Sequence, residues 1–134
     1  MKVTGLDNKE YTFNYTKFHL RSERGGKSSL HNEARELLKE MLVGYSLYEE
    51  VTLPGCKTLY ADFFVPQIKL VVEVHGEQHY NHVPFFHKTK ADFFLGKKRD
   101  KNKIEFCRVN NFAIAILPYN EKDRWNQIII ESMK

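Results

Sequence analysis

The spacing of hydrophobic positions changes several times along the chain, and each change marks a predicted element. From Ser29 to Val43, apolar side chains recur at helical spacing, and Gly44 can end that helix. A second long helix is predicted from Lys90 to Asn110, and an amphipathic helix from Glu121 to Met133. Four runs rich in β-branched and aromatic residues predict strands at 48–53, 59–65, 70–75 and 112–117. The order helix, three strands, helix, strand, helix predicts an α/β fold.

A β-hairpin is predicted where two of these strands are separated only by residues 66–69. If the turn is centred between Gln67 and Ile68, residue 65 pairs with 70, and Asp62 falls directly opposite Glu73. Because side chains alternate along a strand, Asp62, Glu73 and His75 should share one face. The other face then carries Phe63, Val72 and Val74.

Two carboxylates this close repel each other unless a proton or a cation lies between them, so the pair indicates a hard cation such as Mg²⁺. Acids also face each other by chance on solvated sheets. Here the neighbouring positions are almost continuously apolar, as in a sheet covered on both faces. Acids in such a strand usually have a function.

Two further acids lie at the edge or within the apolar stripe of a predicted helix. Glu33 is in the first turn of the first helix, where a surface acid favoured by the helix dipole is the simpler interpretation. Asp100 lies between Gly96 and Ile104 on the apolar face of the second long helix. A buried acid is costly unless it is paired, so Asp100 needs either a structural cation or a functional partner.

Four histidines between residues 75 and 87 raise the question of zinc. A metalloprotease pair requires both histidines on one helix face, with Glu directly after the first. Gly76 follows His75 instead, and a strand precedes it, so that site is not expected. A structural cluster using His79, His82 or His87 remains open.

Composition and charge narrow the class of protein. A chain of 134 residues with 42% hydrophobic residues makes one domain that can bury a core. A net charge of +4 weakly favours a polyanionic partner. With neither an apolar signal segment nor a membrane-length run, we expect a cytoplasmic protein with reduced cysteines and no membrane partner.

Basic residues concentrate in an N-terminal extension, residues 1–28, which is predicted to be irregular, and on the second long helix, where Lys103 is placed with the outward cations. The predicted contacts to nucleic acid backbone are Arg21, Arg24, Lys27, Lys88, Lys90, Lys97, Lys98, Arg99 and Lys101. A solvated loop and an ordinary soluble helix surface would explain the same charges.

Residues 29–134 resemble the PD-(D/E)xK nucleases, whose core has a helix before an antiparallel hairpin that bears the acids, and a crossover helix to a further strand. Three segments carry the closer resemblance to very-short-patch-repair endonucleases and to phage homing endonucleases with an E, D, x, H, D constellation. They are residues 62–66, residues 72–79 and Lys98-Arg99-Asp100. The five positions fall on Glu33, Asp62, Val74, His79 and Asp100.

The resemblance implies a restriction-endonuclease-like core, with a mixed sheet flanked by helices, and a Mg²⁺-dependent DNA endonuclease in which Mn²⁺ can substitute. Asp62 would bind the metal, with the Val74 carbonyl or Glu73 completing the protein ligands and Glu33 acting through water. His79 would be the general base and Asp100 would orient it. Strict alignment to the repair family would place Tyr80 at the base position instead.

His75 occupies the place of the superfamily's lysine and is the competing base. The implied partner is double-stranded DNA, and the implied setting is a bacterial or phage-infected cell. Both a homodimer and a fusion to a separate DNA-recognition module remain open. The alternative function is a non-catalytic nucleic-acid-binding module on a degenerate nuclease scaffold.

Overall fold

The computed structural model describes residues 1–21, 29–56, 59–81 and 89–134, which form two sheets and three α-helices. In chain order the elements are β1 (Lys2–Thr4), β2 (Glu10–Thr12), α1 (Ser29–Met41), β3 (Tyr48–Thr52), β4 (Tyr60–Val65), β5 (Leu70–His75), α2 (Lys90–Val109), β6 (Ala113–Pro118) and α3 (Trp125–Ser132). Within the described residues, no helix is both long and apolar enough to cross a membrane.

The main sheet has the strand order β3-β4-β5-β6. The first two pairs are antiparallel and β5 pairs with β6 in parallel. The parallel pair follows from the crossover through α2, because two parallel strands cannot be joined by a tight turn. The predictions of an α/β fold and of a mixed sheet with helices are confirmed.

The predicted register of the β4–β5 hairpin is also confirmed. Phe63 pairs with Val72, and Val65 pairs with Leu70. Residues 66–68 form one 3-10 turn, and Lys69 closes the loop in the left-handed region with a φ of 48°. The same register places Asp62 of β4 opposite Glu73 of β5.

Apolar side chains from the two faces of the sheet form two clusters. Phe64 and Val71 pack with Phe106 of α2, whereas Phe63 and Val72 belong to the cluster formed with α1 and α3. Burying a side chain such as phenylalanine contributes roughly 1.5–3 kcal/mol. The sheet is therefore covered on both faces, and any polar group at its centre is shielded from water.

The expectation of an irregular N-terminal segment is wrong for residues 1–21. β1 and β2 pair as an antiparallel hairpin, and Val3 and Phe13 are buried in the cluster that contains Phe64. Asn110, just after α2, accepts a hydrogen bond from the Thr4 N–H at 2.7 Å and donates one to the Thr4 carbonyl at 2.9 Å. The first strand is thereby joined to the end of α2.

Candidate active site

The carboxylates of Asp62 and Glu73 each accept a hydrogen bond from a backbone N–H of the opposite strand. The backbone N–H of Asp62 donates to Glu73 Oε2 at 2.8 Å, and the backbone N–H of Val74 donates to Asp62 Oδ2 at 2.8 Å. Each carboxylate thus takes the place of a backbone carbonyl as the acceptor. These two hydrogen bonds fix both acids at the junction between β4 and β5.

Glu73 is almost completely buried and lies against Lys103 of α2. Lys103 Nζ donates to Glu73 Oε1 at 2.7 Å. Burial raises the pKa of Glu73 to about 8 and the charge of Asp62 adds to the rise, whereas Lys103 opposes it. Burial would lower the pKa of Lys103, but the charges of Glu73, Asp62 and Asp100 raise it. The cation is therefore held among three acids.

Asp62 is more accessible, with 25% of its side chain exposed, and it faces α1. His31 Nδ1 lies 4.0 Å from Asp62 Oδ1. The other ring nitrogen of His31, Nε2, donates to Glu49 Oε2 at 2.6 Å. The His31 ring is also stacked on Phe63, with the ring centroids 4.7 Å apart. The position of His31 is thus fixed from two sides.

Glu49 of β3 is the centre of a buried polar network. The Arg35 guanidinium donates to both carboxylate oxygens, at 2.9 and 2.6 Å. Burial by itself opposes ionisation, but hydrogen bonds from Arg35, from the Arg21 backbone and from His31 lower the pKa of Glu49 to about 2. This network joins α1 to the sheet, and its member His31 lies 4.0 Å from Asp62.

His75, His79 and Asp100 form a second cluster of polar side chains. The 3-10 turn Glu77–His79 brings the His79 ring parallel to His75, with the centroids 4.0 Å apart. His79 Nδ1 lies 3.1 and 3.2 Å from the two oxygens of Asp100, and His75 Nε2 lies 4.0 Å from Asp100 Oδ1. The structure therefore brings together the residues that the resemblance identified as base and orienting acid.

The protonation of this cluster follows from its surroundings. Burial lowers the pKa of His75 to about 4, and the neighbouring His79 adds to the effect, so His75 is neutral near pH 7. Burial would raise the pKa of Asp100, but its hydrogen bond with His79 and the nearby charges lower it. An ionised Asp100 accepts the Nδ1–H of His79, which leaves Nε2 with a free lone pair for accepting a proton.

Glu33 is paired with a lysine from the segment before α3. Its carboxylate is 49% exposed and forms an ion pair with Lys122 at 3.0 Å. On α1 it is His31, two residues earlier, that faces Asp62. The assignment of Glu33 to a water-mediated metal contact stays a prediction.

The predicted phosphate contacts occupy different environments. Lys90, Lys98, Arg99 and Lys101 are exposed on α2. Lys97 lies over the rings of Tyr80 and Phe93, at 5.2 and 5.6 Å from their centroids. Arg21 forms an ion pair with Glu50 at 2.9 Å. Outside the described residues lie Arg24, Lys27, Lys88, His82 and His87.

Sequence reasoning missed Lys103, His31, Arg35 and Glu49. The expectation that Lys103 points outward is wrong, because its side chain is only 15% exposed and ends at Glu73. Helical spacing contained the signal: Lys103 follows Asp100 by three residues and precedes the buried Cys107 by four, so all three share a face. Its partner lies on another element, and a single sequence does not show that pairing.

The donor atoms at Asp62 and Glu73 fit a hard divalent cation. Mg²⁺ in proteins is typically held by one or two carboxylates and keeps several water ligands. Asp62 offers a partly exposed carboxylate, and Glu73 lies across the same strand junction. The Val74 N–H bond to Asp62 places the Val74 backbone at the same point.

Comparison with known proteins gives relatives but no family. The chain is 42% identical over 69 residues to uncharacterized protein 307L of Invertebrate iridescent virus 6, a match that covers 52% of this chain and 35% of that protein. It is 38% identical over 61 residues to uncharacterized protein 033L of Invertebrate iridescent virus 3, covering 46% and 31%. The chain thus spans about a third of the length of these relatives. No family model matches the chain, and no solved structure matches it.

Proposed function

We propose that this protein is a Mg²⁺-dependent DNA endonuclease that hydrolyses phosphodiester bonds, with a restriction-endonuclease-like core. The observation that carries the proposal is the Asp62–Glu73 pair of the hairpin, which Lys103 of α2 contacts at 2.7 Å, together with the His79–Asp100 pair, whose acid lies one helical turn before Lys103 on α2. Buried acids, a cation and an oriented imidazole at one point are costly to stability and common in active sites. The viral relatives fit a viral protein that acts inside a host cell.

In this proposal each residue has a separate task. Asp62 and Glu73 hold the metal, which supplies Lewis-acid stabilisation of the phosphate charge when bound. His79 accepts the proton of the attacking water at Nε2, and Asp100 orients the ring and stabilises its charged form. Lys103 keeps a positive charge beside Glu73, whereas His75 occupies the strand position of the superfamily's lysine.

One observation favours the alternative, a non-catalytic DNA-binding module. Both oxygens of Glu73 already accept hydrogen bonds, one from Lys103 and one from the Asp62 backbone, and Glu33 is paired with Lys122. A scaffold that had lost its metal would be expected to keep such internal pairs. The two functions differ in whether DNA is cut, so they can be separated directly.

The test is cleavage of supercoiled plasmid in Mg²⁺ or Mn²⁺ and in EDTA, with DNA binding measured in parallel. Asp62→Asn removes a ligand charge at nearly constant volume, so cleavage should fall by about 100-fold or more while folding and DNA binding persist. Asp123→Asn, an exposed acid before α3, is the matched control and should cut normally. DNA binding without metal-dependent cutting by the parent protein would favour the alternative, and undiminished cutting by Asp62→Asn would refute the metal site.

A further inference from the structure

His75, His79 and Asp100 also form a ligand set of a different kind from the two-acid site. We propose that these three residues bind a transition-metal ion of the Zn²⁺ class, and that this ion, when bound, blocks His79 as a base. The binding does not depend on the proposed nuclease function. The inhibition does rest on it.

The distances between the three ligand atoms are close to those in a tetrahedral metal site. One nitrogen or oxygen from each residue lies within 4.8 Å of the others. With metal–ligand bonds of about 2.0–2.2 Å, tetrahedral ligand atoms are separated by roughly 3.3–3.5 Å. The separation of His79 Nδ1 from Asp100 Oδ2 is 3.1 Å, and that of His75 Nε2 from Asp100 Oδ1 is 4.0 Å. The two imidazole planes are stacked at an angle of 8°, so the His75 ring has to tilt out of this stack before its Nε2 lone pair points at an ion held by His79 Nδ1 and Asp100. Water would complete the coordination of that ion.

The donor atoms of this site differ in kind from those of the Asp62–Glu73 pair. Imidazole nitrogens suit Zn²⁺, Co²⁺ and Ni²⁺, whereas carboxylate, carbonyl and water oxygens suit Mg²⁺. His75 is buried, and its Nε2 atom lies on the side of the ring nearest Asp100, 4.0 Å from Oδ1. The one carboxylate, Asp100, supplies the negative charge of the set.

Two neighbouring lysines oppose metal binding through their positive charges. The charges of Lys97 and Lys103 both act on His75 and would repel a bound metal ion. Lys103 is paired with Glu73 at 2.7 Å, and the Lys97 ammonium lies over the rings of Tyr80 and Phe93. The charge of Lys103 is therefore offset by a carboxylate, whereas Lys97 keeps its full charge and opposes metal binding at His75, His79 and Asp100.

Binding would change which nitrogen of His79 carries the proton. Without metal, the Nδ1–H donates to Asp100 and Nε2 has the lone pair. A metal ion between Nδ1 and Asp100 takes the place of that proton, which moves through solvent to Nε2 in the neutral ring. His79 then carries an N–H where the base needs a lone pair, so it cannot accept a proton from water.

The test uses Co²⁺ as a spectroscopic probe, added to Asp62→Asn protein so that the acid pair cannot compete. One equivalent should bind, with the visible absorption of a low-coordinate site, and excess Zn²⁺ should displace it. In the Asp62→Asn background, a second substitution, His75→Ala, His79→Ala or Asp100→Asn, should weaken Co²⁺ binding by about 100-fold. Asp100→Asn preserves shape, so it remains informative if removing the buried His75 impairs folding.

Two controls show whether the ion is at these residues. His19→Ala removes an exposed histidine, and the double variant His82→Ala/His87→Ala removes histidines nearby in sequence; both should bind Co²⁺ as before. Co²⁺ binding that survives all three triad substitutions, or that is lost only in the His82/His87 variant, would overturn the proposal. In the parent protein, Zn²⁺ should inhibit Mg²⁺-dependent cleavage in the same concentration range as Co²⁺ displacement. If cleavage is absent but the cobalt results hold, the nuclease proposal fails and the metal site stands.

Discussion

Lys103 places a positive charge against a carboxylate that is otherwise shielded from water. Lys103→Met keeps much of the side-chain length and removes the charge, so the pKa of Glu73 should rise further and metal binding should weaken. We expect cleavage to fall by roughly 10² to 10³, the usual effect of losing one preorganised charged donor. Lys103→Arg should restore part of the rate. Lys9→Met, exposed in the turn between β1 and β2, is the control, and an equal loss there would assign the effect to net charge.

The roles of His79 and His75 can be separated by the pH dependence of single-turnover cleavage. His79→Ala should reduce the rate by about 10² to 10⁴ with little change in DNA affinity, as for a lost general base. Because burial and the neighbouring His79 lower the pKa of His75 to about 4, we expect that ring to keep one charge state near neutral pH and to contribute no rate change there. A neutral-pH transition that disappears in His75→Ala but persists in His79→Ala would assign the base to His75.

At the scale of secondary-structure elements, the Glu49 network determines how α1 is held against the sheet. Glu49→Gln removes the carboxylate charge that faces the buried Arg35 guanidinium, and breaking such a buried pair costs roughly 3–5 kcal/mol of the free energy of unfolding. Glu36→Gln, exposed on α1, should cost little. Denaturant unfolding measures both. The double variant Glu49→Gln/Arg35→Met should be less destabilised than the sum of its parts, and simple additivity would contradict a coupled network.

The same network predicts how stability depends on pH. The pKa of Glu49 falls from 4.5 to about 2 on folding, so the folded protein gains stability from the ionised carboxylate above pH 4.5. That contribution should be lost as the pH falls from 4.5 towards 2. The pH dependence of unfolding in that window should therefore be shallower in Glu49→Gln than in the parent. Parallel pH curves for the two proteins would show that Glu49 is not the titrating group.

The elements from α1 to α3 were predictable to within a few residues, because their signals are local, whereas the short strands β1 and β2 were missed. The β4–β5 register followed from the turn position and from period-two alternation, and that arithmetic placed Asp62 opposite Glu73. His31 and Arg35 are four residues apart on α1, a spacing that shows a shared face but not what the face contacts. Their partner Glu49 lies in β3, and only the folded sheet brings the three together.

At the scale of the whole molecule, two helical layers enclose the acids. α1 and α3 cover one face of the sheet and α2 covers the other, so His31 reaches Asp62 from one side and Lys103 reaches Glu73 from the other. The buried half of α2 therefore contributes to the candidate site, and its exposed residues face solvent. Composition alone could not show which lysines of α2 contact buried acids and which face solvent, because both kinds lie in one continuous basic segment.

The exposed basic surface of α2 should determine how DNA binding responds to salt. Each phosphate neutralised by a lysine or arginine releases counterions, so the logarithm of the binding constant falls with the logarithm of salt concentration, with a slope of about −0.9 per contact. Lys98→Ala and Lys101→Ala should each flatten that slope by roughly 0.9 if they contact phosphates. Lys9→Ala changes the net charge equally in the turn between β1 and β2, and it should leave the slope unchanged. The measurement is a fluorescence anisotropy titration of duplex DNA over a salt series in Ca²⁺, so that cleavage does not interfere. An equal flattening in all three variants would mean that net charge, and not the α2 surface, sets the affinity.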